Sequence, residues 1–200
     1  DSLAAPFQQG DTIACTVTPT DGQATASPMT ASVTITNSSP AISGLTIGPG
    51  TVTTNDILTA TVTASDPDGD PLTYQWDWYV DDGTGPQVVQ STSSSSTTSD
   101  LDGVYHFDRD DLVYAQVGVS DGSATMTQST ATVSVSNSPP VAVNTTISPM
   151  TPVAGIDDLV CIATGDDADF DSVTIAYAWQ VDGQATNNAT DTVAAADIAD

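Results

Sequence analysis

ASDPDGDPLTYQWDW (64–78) carries two signals in succession. Asp66, Asp68 and Asp70 alternate around Pro67 and Gly69, a composition that predicts a tight turn. LTYQWDWYV (72–80) then places Leu72, Tyr74, Trp76, Trp78 and Val80 on one face. Alternation with a period of two predicts a strand with one buried and one wet face. DILTATVTA (56–64) repeats the pattern with Leu58, Ala60, Val62 and Ala64, and DLVYAQVGV (111–119) with Val113, Ala115, Val117 and Val119. Such strands predict antiparallel sheets packed face to face, with Ser/Thr-rich segments such as STSSSSTTSD (91–100) as loops or edge strands.

Composition supports the same class. All 26 acidic residues are Asp, there is one Arg and no Lys, and the formal net charge is −25. Asp favours turns and caps, whereas the missing Glu and Lys are the residues that coat helices. Thr, Val and Ser abound, so the chain reads as all-β with acidic loops. With no basic patch to meet phosphates, nucleic acid is excluded as a partner. No apolar run reaches the roughly 18 residues of a membrane span. The chain opens without Met or a signal-peptide pattern, which reads as a processed product or a fragment.

Self-similarity organises the rest. ASVTITNSSPAISGLTIGPG (31–50) recurs as ATVSVSNSPPVAVNTTISPM (131–150), and GDTIACTVTPTDG (10–22) as DDLVYAQVGVSDG (110–122). DPDGDPLTYQWDWYVD (66–81) recurs as DADFDSVTIAYAWQVD (167–182). The repeat is about one hundred residues long. SSPA (38–41) and SPPV (138–141) read as linkers, because proline after small polar residues ends strands. Residues 41–138 form one complete unit, residues 1–38 the C-terminal half of another, and residues 141–200 the N-terminal half of a third. Trp78 precedes Ala115 by 37 residues, and Trp179 would precede Cys15 of a following copy by 36. The expected arrangement is one period of an array, or a subunit completed head to tail by its neighbours.

Cys15 and Cys161 correspond to Ala115 and Ala60, and both pairs fall on inward-facing parity. Two readings stand: a cross-sheet disulfide between adjacent copies, or two buried thiols acting as small apolar residues. Trp78 and Trp179 are the expected core anchors. Zinc is excluded by the lack of further ligands beyond His106.

The candidate metal ligands are Asp66, Asp68 and Asp70 in one copy and Asp166, Asp167, Asp169 and Asp171 in the other. Crowded carboxylate oxygens suit Ca²⁺, but an inherited aspartate turn accounts for the same spacing. The Gly and acidic positions depart from the EF-hand loop. Catalysis is not expected: no aspartic-protease triplet, nucleophile elbow or phosphate loop occurs, and His106 is matched by Pro6 in the other copy. Asn37, Asn144 and Asn188 head N-x-[ST] glycosylation sequons.

Together, NSPP at the boundary, ASDPDGDPLTYQW and DDLVYAQVGVSDG resemble the tandem Ig-like, cadherin-like and PKD-like repeats of large secreted prokaryotic surface proteins. The resemblance covers the whole chain. It implies tandem immunoglobulin-like antiparallel β-sandwiches, an extracellular or cell-surface location, and a non-enzymatic fibre, filament or stalk stiffened by Ca²⁺ between or within domains. The alternatives it leaves are a cell-surface adhesin or carbohydrate-binding module, and accessory domains of a secreted enzyme.

Overall fold

A computed structural model describes residues 7–197. Its elements are almost all strands. A hairpin of β1 (Thr12–Val17) and β2 (Met29–Thr34) comes first. The central unit follows with β3 (Ala41–Gly48), β4 (Val52–Thr53), β5 (Ile57–Ser65), β6 (Thr73–Asp81), β7 (Gln87–Ser94) and β8 (Thr98–Asp102). One helical turn, α1 (Gly103–His106), leads into β9 (Leu112–Ser120), β10 (Thr125–Ser129) and β11 (Val133–Ser136). Beyond it lie β12 (Val141–Ser148), β13 (Leu159–Asp166), β14 (Gln180–Val181), β15 (Gln184–Ala185) and β16 (Thr192–Val193).

The central unit is a sandwich. One sheet has the order β3-β5-β8 and the other β4-β11-β9-β6-β7, with β10 also on β9. All pairings are antiparallel except β4 on β11. This strand order, with β3 and β4 dividing the first segment between the two sheets, is that of an Ig-like domain. The serine-rich segment resolves into the end of edge strand β7 and the start of β8.

The alternation read from the sequence is the alternation of burial. Leu58, Ala60 and Val62 face Val113, Ala115, Val117 and Val119 across the core, and Leu101, Phe107, Val133 and Val135 close it. Trp76 and Trp78 are fully buried, each with its indole N–H satisfied: Trp76 Nε1 donates to the Ser96 carbonyl (3.3 Å) and Trp78 Nε1 to Ser99 Oγ (2.9 Å). Burying an indole without such a partner would cost stability, so the two serines explain how a polar strand covers an aromatic core.

The flanking segments use the same local pairings without a complete second sheet over them among the described residues. β12–β13 repeats the register of β3–β5, with the same irregularity after the second residue (Ala142/Asn144 and Ile42/Gly44). β1–β2 matches the β9-side hairpin in sequence, yet Val17 and Val33 are 58% and 63% exposed. Residues 173–179 keep a strand-like alternation of half-buried and exposed positions, but no strand pairs with them. Trp179 is therefore only half-buried within the single chain, where the expectation placed its closed core across adjacent copies. The physical reason is the missing neighbour. In the central unit β6 is held by β9, whereas the strand of Trp179 has nothing in that place among the described residues.

Candidate functional site

The two aspartate turns lie against the linkers. Asp66 Oδ1 accepts the amides of Asp68 (2.8 Å) and Asp70 (3.4 Å), and the Asp66 carbonyl accepts that of Gly69 (3.2 Å). This is an aspartate turn, and it sets Gly69 at φ +79°. Asp167 builds the same turn around the amides of Asp169 (2.9 Å) and Asp171 (3.4 Å). There Phe170 takes the position of Gly69, at φ +60° and 92% exposed.

The turn leaves its second aspartate free to clasp the linker. Asp68 Oδ2 accepts the Ser38 amide at 2.6 Å and Oδ1 accepts the Ser38 hydroxyl at 3.3 Å. Asp169 Oδ2 accepts the Ser138 amide at 2.6 Å, and its other oxygen accepts the Thr54 hydroxyl. Each linker is also braced by its asparagine: Asn37 Nδ2 donates to the Ser38 carbonyl and Asn137 Nδ2 to the Ser138 carbonyl, both at 2.8 Å. Asn37 Nδ2 reaches Asp121 as well (2.9 Å). Short bonds from an amide to an ionised carboxylate are the stronger kind, so the clasps orient each unit against the one before it.

The junctions differ in charge. At the second, the guanidinium of Arg109, the only Arg of the chain, donates to Asn137 Oδ1 (2.9 Å) and pairs with Asp171. At the first, Gln9 stands in the position corresponding to Arg109. The equivalence rests on matching backbone bonds, Gly10 to Ile35 and Asp110 to Val135, both 3.0 Å. Asp70 thus lacks the cation that Asp171 has.

Titration follows this asymmetry. The Thr54 hydroxyl bond, then the Ser138 amide and Arg109, hold the Asp169 carboxyl below its ordinary range. Desolvation, then repulsion from Asp66, Asp68 and Asp121, pushes that of Asp70 up. A depressed carboxyl gives stability that is present above its unfolded pKa and lost as pH falls through the folded value. A raised one costs stability at neutral pH, and protonation relieves the cost. Acidification from pH 7 into the ordinary carboxylate range is therefore expected to relax the Asp70 cluster first, while the Ser138 clasp stays intact. The Ser138 clasp should loosen only once pH falls below the ordinary carboxylate range, through the depressed Asp169 value. Hydrogen exchange at the Ser138 amide checks this, and exchange that quickens already near pH 5 would contradict it.

The remaining expected site residues fall as follows. Asp66, Asp68 and Asp70 come together with oxygens within 4.8 Å of one another, as do Asp167, Asp169 and Asp171. Asp166 stays outside the second group, where its Oδ1 accepts the Asp167 amide (3.1 Å). Cys15 and Cys161 are free thiols, the first exposed and the second half-buried. Two of the three sequons have their amide nitrogen in use, Asn37 at the junction and Asn188 on the Thr192 carbonyl (2.9 Å). Asn144 on β12 is exposed. His106 ends α1 beside Tyr105 (ring centroids 6.4 Å apart). Sequence reasoning missed Arg109, Thr54 and Asn137. The uniqueness of Arg109 in so acidic a chain was the available signal.

The open half-sandwich presents a concavity. A cleft of about 530 Å³ lies between β12–β13 and the unpaired strand, lined by Val141, Ile147, Cys161, Val173, Ile175 and Trp179.

No protein-family model matches the sequence, and neither does any curated protein. Among solved structures, one titled "Structural basis for Dscam isoform specificity" aligns with 80% of this chain at 16% identity and a TM-score of 0.35. The aligned region spans 38% of that structure's chain. A likeness that loose adds nothing to the strand order, on which the Ig-like assignment rests. Among the described residues no helix is long and apolar enough to cross a membrane.

Proposed function

We propose that this chain is a non-enzymatic structural module of an extracellular fibre, filament or stalk, in which Ig-like sandwiches follow one another head to tail. The observation that carries the reading is the pair of clasped linkers. Ser38 and Ser138 are held by equivalent aspartates of the unit that follows each, so one geometry propagates along the chain. A rod needs such a fixed step between units, whereas flexible tethers lack carboxylate clasps. A net charge of −25 keeps such rods apart laterally. Electron microscopy of the concentrated protein is expected to show thin filaments with an axial repeat of two domains. Globular monomers at all concentrations would overturn the reading.

Ca²⁺ fits the first junction and not the second. Among the described residues, Asp66 Oδ2 and Asn37 Oδ1 are buried without a hydrogen-bond partner, and Asp70 has no counter-charge. Arg109 already supplies positive charge to the second triad. Millimolar affinity is the range of extracellular Ca²⁺ modules. Calorimetry is expected to find one equivalent bound with Kd on the order of 10⁻⁴–10⁻³ M, and a second equivalent in Arg109→Gln. No heat in either protein, with an unchanged Tm at about 10 mM Ca²⁺, would remove the metal and leave a plain turn.

A second reading, as an adhesin or carbohydrate-binding module, is favoured by one feature. Tyr79 and Tyr114 stack on the outer face of the β6–β9 sheet, with ring centroids 4.7 Å apart and planes 3° from parallel. Stacked aromatic faces suit sugar rings, and quenching of tyrosine fluorescence by oligosaccharides tests it.

A further inference from the structure

We infer that the half-sandwich of residues 141–197 takes the β1–β2 hairpin of a second copy of this chain as its missing sheet, with Cys15 opposite Trp179 and Cys15 Sγ bonded to Cys161 Sγ. The inference rests on the head-to-tail reading above and adds the surface, the register and the bond.

The central unit is the template. There β6 pairs with β9 from Thr73↔Ser120 to Asp81↔Leu112, with Trp78 opposite Ala115. The repeat carries this register to Trp179 opposite Cys15, Tyr177 opposite Val17 and Val181 opposite Ile13. Every one of these pairs is apolar and sits on the inward parity of its strand. Their counterparts, Trp76, Trp78, Val113, Ala115 and Val117, are fully buried, and Val80 nearly so. Here Val17 and Val181 are 58% and 64% exposed. Two complementary apolar faces are thus open to water at once, and each has the composition of the surface that covers its homologue.

Backbone chemistry agrees. Among the described residues, 173–178 have no ladder partner and Trp179 is held only on its β15 side, where its carbonyl accepts the Thr186 amide (2.9 Å); β1 is paired only to β2, whereas β9 is flanked on both sides. An unpaired strand beside an apolar cleft is the receiving geometry for strand addition, which supplies the missing hydrogen bonds and fills the pockets together. Cys161 lines the cleft into which the inward face of β1 would fall. Ala60 and Ala115, the residues that correspond to the two cysteines, are both fully buried between the sheets of the central unit.

The bond forms by thiol–disulfide exchange with a small-molecule disulfide such as oxidised glutathione. One thiolate displaces a glutathione thiolate to give a mixed disulfide, and the other thiolate displaces the second. Both protein thiols lose their protons, the glutathione disulfide is reduced to two glutathiones, and one protein disulfide is gained.

The test uses the full chain with oxidised glutathione. Wild type is expected to give a ladder on non-reducing gels that collapses with reductant, and peptide mapping should find Cys15 joined to Cys161. Cys15→Ala and Cys161→Ala are each expected to stay monomeric on the gel. An equimolar mixture of the two should stop at a dimer. Both variants carry the alanine that the central unit already accommodates, so folding is not at risk. A Cys15–Cys161 bond within one chain, or Cys15–Cys15 dimers from Cys161→Ala alone, would overturn the inference. Filaments under reductant whose oxidation gives no Cys15–Cys161 bond would overturn this register and leave the proposed function standing. Monomers in light scattering under both conditions would defeat both.

Discussion

Trp78→Ala is expected to unfold the central sandwich at temperatures where the wild type is intact. The indole is fully buried in the core and reaches the opposite sheet by donating to Ser99 Oγ of β8. Truncating a buried Trp costs about 3–5 kcal/mol, since the cavity only partly collapses and the transfer energy is lost. Whole domains are stable by about 5–15 kcal/mol, so the loss is a large fraction of the total. For a unit of this size each kcal/mol moves Tm by about 4–8 °C, and a fall of at least about 12 °C is expected in calorimetry. Trp179→Ala is the control. Its indole is half-exposed and bonds the Thr190 carbonyl at 2.9 Å, so the loss in the isolated chain should be much smaller. If the half-sandwich is closed by another copy, the Trp179→Ala loss grows toward that of Trp78→Ala as chains assemble. Equal losses for the two variants in dilute monomer would contradict the difference in their surroundings.

That contrast also marks how far the sequence could be read. Strands β5, β6 and β9 were legible because alternation depends only on the residues of the strand itself, and their buried positions are the ones that parity selects. Trp179 shows where this ends. VTIAYAWQV (173–181) alternates as well as LTYQWDWYV (72–80) does, but pairing belongs to two segments, and among the described residues no strand stands beside it where β9 stands beside β6. A pattern can announce a strand without supplying its neighbour. The aspartate turns were legible as turns and as crowded carboxylates. Their clasp on Ser38 and Ser138 was not, because it joins residues about 30 positions apart through a backbone amide that any residue would offer. Asn37 illustrates the cost of reading a motif alone: a sequon by pattern, it is a junction brace by contact. Arg109 is the converse, a residue with no motif whose charge in an acidic chain was the clue.

Ala60→Cys combined with Ala115→Cys is expected to stabilise the central unit strongly once oxidised. The two alanines lie on the inward faces of β5 and β9, both fully buried, and they occupy the positions that Cys161 and Cys15 hold in the flanking halves. Closing a loop of about 55 residues removes unfolded-state entropy worth about 4 kcal/mol at 25 °C, less any strain from fitting sulfur into an alanine core. Thiols are small and apolar enough to be accepted there, so the reduced double variant should lie close to wild type. The expected difference in Tm between oxidised and reduced forms is upwards of about 15 °C. This measurement bears on the assembly without requiring it. If the engineered pair forms readily, the inward positions of β5 and β9 lie within disulfide reach, and the same positions in a completed flanking unit inherit that geometry through the shared β3–β5 and β12–β13 register. If oxidation leaves two free thiols at these positions, the sandwich holds them too far apart. The bond between Cys15 of one copy and Cys161 of another then loses its template, even though the strands may still pair.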